Sequence, residues 1–218
     1  MKAASAEIWR SLFAHALDLI DSVSAGGGEF VEWTFGGGTA LMLRHRHRVS
    51  RDIDIFIADP QYLTWLSPRL NDVALSKTTR YLEQGNSLRF QFPAGEVDFI
   101  VAPPLTKEDY ELTELLNRPV RLETSAEIVA KKVWYRGAAL KARDLFDIAL
   151  VVDREPQRLE AAKSYLLERR AAILERLEQQ EDQLRDDFAG LQALDYRPTY
   201  DHCVASVRNF LQALHRQK

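Results

Sequence analysis

Cysteine is almost absent from this chain: Cys203 is the single one among 218 residues. One cysteine cannot form an internal disulfide, and it cannot supply a cysteine-rich zinc site. The lone thiol therefore fits a reducing, cytoplasmic compartment, and we expect it to be a small buried apolar residue. His45 and His47 have neither cysteines nor a third histidine nearby, so the pair does not predict a zinc site.

Long apolar runs and an excess of positive charge are also missing. No stretch of about 18 apolar residues occurs, so the sequence predicts no membrane span. The first residues lack a basic start followed by an apolar run, so we expect no signal peptide. Because the formal net charge is −3, any nucleic-acid binding would have to use a local basic patch. The length suits one large domain or two small ones.

The most informative stretch runs from Phe35 to Phe56. A glycine triplet, Gly36-Gly37-Gly38, opens it, and a short basic segment follows. The stretch then ends in an alternating pattern that is typical of a half-buried strand. In that pattern the isoleucines take one face, and the carboxylates of Asp52 and Asp54 take the other.

Two carboxylates on one strand face indicate a cation site. Their Cα atoms would be about 6.6 Å apart at the rise of a strand, close enough for both side chains to lean toward one ion. Like charges this close repel unless a cation lies between them, and oxygen ligands suit Mg²⁺ or Mn²⁺. The glycines upstream allow a turn that points backbone N–H groups at an anion. A helix predicted from Thr39 to Arg46 would add its positive N-terminal end. Together these parts predict a metal–triphosphate site.

The same residues carry a family resemblance. Gly37-Gly38-Thr39-Ala40-Leu41, followed by His47-Arg48-x-Ser50-x-Asp52-Ile53-Asp54-Ile55-Phe56, resembles the signature of the AbiEii/AbiGii toxin-type nucleotidyltransferases of the DNA polymerase β-like superfamily. The match is specific because the turn, the helix, the His-Arg-x-Ser segment and the Asp-x-Asp strand occur together.

The resemblance implies an α+β fold. Its core would be a polymerase β-like nucleotidyltransferase unit, a mixed twisted sheet flanked by helices, followed by a helical C-terminal region. The expected domains are residues 1–103, the core with an N-terminal helix, and residues 104–218, a mainly helical domain that completes the active site. The Pro103-Pro104 pair marks the boundary, and helices are expected beyond it.

Asp98 is the candidate for a third carboxylate. Residues 96–101 alternate, with Asp98 on the polar face of a predicted strand. The superfamily usually supplies a third acid from this strand, which would orient or deprotonate the attacking oxygen. The alternative is a surface residue on an edge strand.

A second motif lies near the middle of the chain. Glu127-Ile128-Val129-Ala130-Lys131-Lys132 and Arg143-Asp144-x-x-Asp147 resemble the paired helices of the same family. Lys132 would neutralise charge on the triphosphate, although Lys131 beside it leaves the register open by one residue. Asp144 or Asp147 would position that lysine or the base. The alternative is an interhelical salt bridge.

The resemblance thus implies two sets of site residues. The catalytic residues are Asp52, Asp54, Asp98, Lys132, Asp144 and Asp147, of which Asp52, Asp54 and Asp98 would bind Mg²⁺ or Mn²⁺. The nucleotide-binding residues are Gly37, Gly38, Thr39, Arg48, Ser50 and Lys132. Ser50 has a second interpretation, in which it braces the start of the acidic strand.

The basic run allows two interpretations. It comprises Arg44, Arg46, Arg48 and Arg51. The run could balance charge at an exposed helix end, or it could guide a nucleotide or an RNA backbone.

The function implied by the resemblance is transfer of an NMP from an NTP to an acceptor. The protein would be the toxin of a bacterial toxin–antitoxin or phage-defence pair, with a separate antitoxin as partner. In some relatives the acceptor is the 3′ end of tRNA. Two alternatives remain open: a small-molecule transferase of the antibiotic-adenylylating kind, and a non-catalytic module that binds a nucleotide or a protein.

The remaining pattern predicts ordinary elements. A helix is expected over residues 5–23, ended by a flexible Gly26-Gly27-Gly28 connector. A second helix is expected from Pro60 to Ser76, weakened by Pro68. Strands are expected over 78–84 and 87–92 across Gly85-Asn86.

Overall fold

A computed structural model of the chain describes residues 8–25 and 32–215. The helices are α1 (Trp9–Ala25), α2 (Gly37–His45), α3 (Gln61–Leu66), α4 (Asp72–Lys77), α5 (Ser125–Arg136), α6 (Ala142–Arg154), α7 (Lys163–Gln179), α8 (Glu181–Ala189) and α9 (Tyr200–Ala213). The strands are β1 (Trp33–Gly36), β2 (Ile53–Ile57), β3 (Tyr81–Gln84), β4 (Ser87–Phe92), β5 (Gly95–Val101), β6 (Tyr110–Leu115) and β7 (Arg118–Glu123). Among the described helices, none has the length and hydrophobicity that a membrane span requires.

The strands form one seven-stranded mixed sheet in the order β3-β4-β5-β2-β1-β7-β6. Strand β2 runs antiparallel to β1 and parallel to β5, so the acidic strand lies at the centre of the sheet. Strand β1 also runs parallel to β7. The predicted mixed sheet flanked by helices is confirmed.

The alternating pattern of β2 decides which face of the sheet is buried. Ile53, Ile55 and Ile57 are each at most 1% exposed, whereas the residues between them are half-buried. Helix α1 packs against β2 and β5, and its Phe13 ring stacks on Phe35 of β1 at 4.8 Å between centroids. The apolar face of the sheet therefore lies under α1, and the acidic face is the opposite one.

Contacts divide the chain into two compact units. The first comprises Met1–Ala40, Ser50–Pro104 and Tyr110–Glu123, and it contains the whole sheet with α1, α3 and α4. The second comprises Leu41–Val49, Leu105–Asp109 and Thr124–Lys218, and it contains α5 to α9. Helix α2 begins in the first unit and ends in the second. The domain division at residue 103 stays a prediction.

Several elements differ from the expected ones. The helix expected over 60–76 is two short helices, because the Ser67-Pro68 segment interrupts it. The region after Pro104, which was expected to be mainly helical, contains a β-hairpin, β6–β7, that was not predicted. Its two-residue turn, Leu116-Asn117, has φ of 51° and 60°, the left-handed geometry that hairpin turns need. The expected connector at Gly26-Gly27-Gly28 lies outside the described residues.

Candidate active site

One row of residues crosses the sheet from strand to strand. Arg89 on β4 is the register partner of Asp98 on β5, and Asp98 is the partner of Asp54 on β2. Asp54 is in turn the partner of Gly36 on β1. Register partners in adjacent strands project to the same face, so the predicted acids Asp54 and Asp98 are neighbours on the acidic face.

The glycine turn makes room for the Asp54 carboxylate. Gly37 opens α2 with φ of +69°, a backbone region that favours glycine. A Cβ added at Gly37 would lie 1.8 Å from Asp54 Oδ2, so any side chain there would displace the carboxylate. The carboxylate therefore lies against the first residue of a helix, where backbone N–H groups carry partial positive charge.

Thr39 ties the turn to the acidic strand. Its hydroxyl donates a hydrogen bond to the carbonyl oxygen of Asp52 at 2.6 Å and lies 3.0 Å from the Ser50 hydroxyl. Thr39 is fully buried. This geometry matches the interpretation of Ser50 as a brace at the start of the strand, and it engages the Thr39 hydroxyl within the protein. Gly38 follows Gly37 in the first turn of α2.

Asp52 and Asp98 both have partners within the first unit. Asp52 Oδ1 accepts a hydrogen bond from the backbone N–H of Glu96 at 3.1 Å. The Arg89 guanidinium binds both oxygens of Asp98, with Nε to Oδ1 at 2.7 Å and Nη2 to Oδ2 at 2.9 Å. Asp98 is 9% exposed, so it is not a surface residue on an edge strand.

Glu123 adds an unforeseen acid to the same region. It ends β7, is fully buried, and accepts a hydrogen bond from the Thr34 hydroxyl at 2.8 Å. A Cβ added at Gly36 would lie 2.0 Å from Glu123 Oε2. The Glu123 side chain occupies the space beside Gly36, so no side chain fits at position 36 without displacing it.

In the second unit, Asp147 is the centre of a buried charge cluster. Arg48 binds both of its oxygens, with Nε to Oδ1 and Nη2 to Oδ2 each at 2.7 Å. His47 Nε2 lies 2.8 Å from Oδ1, and Lys132 Nζ lies 3.0 Å from Oδ2. The side chains of His47 and Asp147 are 0% exposed and that of Arg48 is 6% exposed, so water screens the cluster little.

Lys132, rather than Lys131, reaches the aspartates of the second motif. Lys132 Nζ lies 2.8 Å from Asp144 Oδ1, and Arg136 Nη1 donates to the same oxygen at 2.7 Å. Lys131 instead lies 3.3 Å from Glu127 on its own helix. An interhelical ion pair between α5 and α6, the alternative interpretation of this motif, is thus present and is made by Lys132 and Asp144. The catalytic role of these residues stays a prediction.

The surrounding charges keep the cluster ionised. Burial alone would raise the pKa of Asp144 and of Asp147. For Asp144 the charges of Lys132 and Arg136 more than offset burial and hold the pKa well below its usual range. For Asp147, Arg48 and Lys132 do the same. Burial lowers the pKa of His47 despite its hydrogen bond to Asp147, which favours the neutral imidazole.

The arginines of the basic run do not share one environment. Arg48 is buried on Asp147, and Arg46 pairs with Asp195 at 2.9 Å on the surface. Arg44 is half-buried and Arg51 is exposed. Only part of the run is therefore accessible to a large anionic partner.

The acids of the first unit fit a divalent cation in chemistry, because carboxylate oxygens are the ligands that Mg²⁺ prefers. Within residues 8–25 and 32–215, no three histidine, cysteine, aspartate or glutamate side chains are already arranged to hold a metal ion. Asp52 and Asp98 are held instead by the Glu96 amide and the Arg89 guanidinium. Asp54, against the glycine turn, is the best-placed candidate ligand.

The sequence did not indicate the roles of several residues in these clusters, among them Arg136 beside Asp144. Arg89 could have been found, because the turn at Pro93-Ala94 sets it opposite Asp98 in a hairpin. Glu123 could not, because no strand was predicted over residues 118–123. His47 belongs to the family signature and was also considered as a zinc ligand, but its contact with Asp147, which lies 100 residues away in sequence, could not be foreseen.

Comparisons with known proteins identify a family and similar solved structures. The family described as "Nucleotidyl transferase AbiEii toxin, Type IV TA system" matches residues 25–216. MenT4, a nucleotidyltransferase toxin from Mycobacterium tuberculosis H37Rv, is 19% identical, with 97% of this chain and 86% of that chain covered at a TM-score of 0.53. JHP933 from Helicobacter pylori is 14% identical, with 93% of this chain and 89% of that chain covered at a TM-score of 0.48. No curated protein sequence matches the chain.

The protein is a nucleotidyltransferase by class. Its mixed sheet has an acidic central strand, and a glycine turn lies at the start of helix α2. Within that class, the chain belongs to the AbiEii family of type IV toxins, which matches most of its length. Membership implies an NTP as substrate and an antitoxin as partner.

Proposed function

We propose that this enzyme transfers an NMP from an NTP to the 3′ end of an RNA, with tRNA as the first candidate, and that an antitoxin protein counters this activity. The observation that carries the transfer chemistry is the Asp54 carboxylate lying against Gly37 at the start of α2. An acid that can bind a cation and a helix end that can bind an anion meet there.

In this proposal the first unit holds the metal and the triphosphate. Asp52 and Asp54 would bind Mg²⁺ or Mn²⁺, and Asp98 would join them as the third acid. A bound divalent cation would neutralise phosphate charge and activate the attacking hydroxyl. The backbone N–H groups of Gly37, Gly38 and Thr39 would hold phosphate oxygens.

In the second unit, Lys132 is proposed to oppose the charge that grows on the triphosphate in the transition state. Asp144 and Asp147 lie 2.8 and 3.0 Å from its ammonium, which supports a role for them in positioning that lysine. Arg48 and His47 would act through Asp147 in the same way.

The lysine assignment leads to a ranking of two adjacent variants. Lys132→Ala should lower turnover by about 10²-fold while changing NTP affinity much less, because the charge it opposes is largest in the transition state. Lys131→Ala removes the same charge one residue away and should do much less. Single-turnover rates and NTP dissociation constants, compared at matched thermal stability, check this ranking. A larger loss of turnover in Lys131→Ala than in Lys132→Ala would assign the role to Lys131. Equally small losses in both variants would mean that Lys132 serves only in a structural ion pair.

The choice of acceptor leads to a salt-dependence experiment. If RNA is the acceptor, its affinity should fall with salt at a log–log slope of roughly −0.7 per phosphate bound. Arg46→Ala combined with Arg51→Ala should flatten that slope by about 0.7 for each phosphate that the variant no longer binds, because both residues are exposed. Arg158→Ala combined with Arg208→Ala is the control, since it removes equal charge from other exposed positions.

The measurement uses labelled NTPs, Mg²⁺ and total RNA across a salt series. We expect labelled RNA of tRNA size, formed less efficiently at high salt. Labelling of a small molecule that is insensitive to salt, without labelled RNA under any NTP, would reject the RNA acceptor and keep the transferase chemistry. No labelled product of any kind would favour a binding module.

A further inference from the structure

The ion pair between Arg89 and Asp98 is not explained by the proposed role of Asp98 as the third acid, because Arg89 itself has no role in that proposal. Arg89 uses two of its nitrogens on the two Asp98 oxygens, at 2.7 and 2.9 Å, and its Nε also lies 3.3 Å from Glu96 Oε2. The Asp98 side chain is 12% exposed and that of Arg89 is 42% exposed. The acid is thus enclosed, whereas the arginine can reach solvent.

The position of Asp98 in the sheet explains why it needs a counterion. Its register partner on the adjacent strand is Asp54, and like charges directly across neighbouring strands disfavour one another. Hydrogen bonding to Asp98 raises the pKa of Arg89, burial partly opposes this rise, and the charges of Asp98, Glu96 and Asp54 add to it. One guanidinium therefore offsets the charge of several acids on this face.

We infer that Arg89 is an internal counterion that competes with the divalent cation for Asp98, so that this acid joins the metal site only when Arg89 releases it. The inference rests on the proposed metal site at Asp52 and Asp54. Arg89 engages both oxygens of Asp98, so the lone pairs that face Arg89 and part of the charge of the carboxylate are not available to a metal ion while the pair persists.

Release of Asp98 by Arg89 would couple metal binding to nucleotide binding. A triphosphate near the acids offers Arg89 an anionic partner that the free protein lacks, and guanidinium groups bind phosphate as readily as carboxylate. Transfer of Arg89 from Asp98 to a phosphate would free the acid at the moment when the metal–nucleotide complex arrives. In the absence of nucleotide, the affinity of the acids for the metal ion is consequently lower than it would be without Arg89.

The test measures Mn²⁺ affinity of the full chain without nucleotide, by electron paramagnetic resonance titration. Arg89→Met keeps the length of the side chain and removes the charge. It should bind Mn²⁺ several-fold to about tenfold more tightly, a modest gain because a partly exposed ion pair is easily displaced. Its melting temperature without metal should fall, and the rise on adding Mn²⁺ should exceed that of the wild type. Arg89→Lys, which keeps a counterion, should stay close to the wild type.

Two controls separate competition from a general change in charge. Arg51→Met removes a positive charge beside Asp52 and should raise Mn²⁺ affinity less than Arg89→Met does. Adding Asp98→Asn to Arg89→Met should cancel the gain, because the released acid is then absent. An equal gain from Arg51→Met, or a gain that survives Asp98→Asn, overturns the inference.

A third variant distinguishes failure of this inference from failure of the proposed site. Asp54→Asn should lose most Mn²⁺ binding. If it does and Arg89→Met leaves the affinity unchanged, the metal site stands and the competition is wrong. If Asp54→Asn leaves Mn²⁺ binding intact, the metal assignment is wrong and the inference falls with it.

Discussion

Asp54→Asn is expected to lower the rate of nucleotidyl transfer by about 10³-fold while the protein keeps its fold. The amide has the shape of the carboxylate, so the contact with Gly37 can persist. What disappears is the negative charge that would hold a divalent cation beside the triphosphate. The loss should therefore appear in turnover and in metal dependence, and the melting temperature should change little.

The measurement is single-turnover transfer from an α-labelled NTP across a Mg²⁺ series. Asp182→Asn is the matched control, because it makes the same chemical change at an exposed position of α8. Asp52→Asn should resemble Asp54→Asn in its effect on turnover. If Asp54→Asn and Asp52→Asn both keep wild-type turnover at every Mg²⁺ concentration, the acids of β2 are not the catalytic ones.

The central strand could be predicted because its signal is local. Alternation over Asp52–Ile57 gives both the buried isoleucines and the acidic face, and the glycine turn is recognisable by composition alone. The register that makes Asp54 and Asp98 neighbours needed two strands to pair in parallel across about 40 residues. Alternation identified the face of each acid, and only the fold brought the acids together.

The hairpin β6–β7 was missed because its signals are weak. Its turn, Leu116-Asn117, contains no glycine although both residues have positive φ. Strand β6 lies at the edge of the sheet and is largely exposed, with Leu112 71% exposed. Such a strand lacks the clean alternation that a half-buried strand shows. The absence of β7 from the prediction also hid Glu123.

The second motif was recognised from its residues, but the depth of its burial was not. The spacing Arg143-Asp144-x-x-Asp147 places both aspartates on one side of a helix. Arg48 was interpreted as part of an accessible basic run, whereas the fold buries it against Asp147. A pairing between residues 99 positions apart leaves no trace in a local pattern.

Asp147→Ala is expected to have the largest effect on stability. Removing this acid leaves Arg48, His47 and Lys132 in a site from which water is excluded, with two of the three groups charged. Breaking a buried ion pair from one side typically costs about 3–5 kcal/mol in the free energy of unfolding. Urea denaturation should show this as a lower midpoint with an unchanged slope.

The surface pair formed by Arg46 and Asp195 is the natural control for that experiment. It joins the same two residue types at 2.9 Å, but the side chains are 71% and 56% exposed. Asp195→Ala should therefore cost less than about 1 kcal/mol. Equal costs for Asp195→Ala and Asp147→Ala would show that burial does not set the strength of the Asp147 cluster.

The same cluster should make the wild type sensitive to acid. Its environment depresses the pKa of Asp147 in the folded state, so the stabilisation is fully present above the unfolded-state pKa of about 4 and is lost as the pH falls toward the folded value. In Asp147→Asn this titration is absent. The difference in unfolding free energy between the wild type and Asp147→Asn should therefore be largest near pH 7 and should shrink below about pH 4. A difference that stays constant over that range would mean that the Asp147 charge is not what the fold depends on.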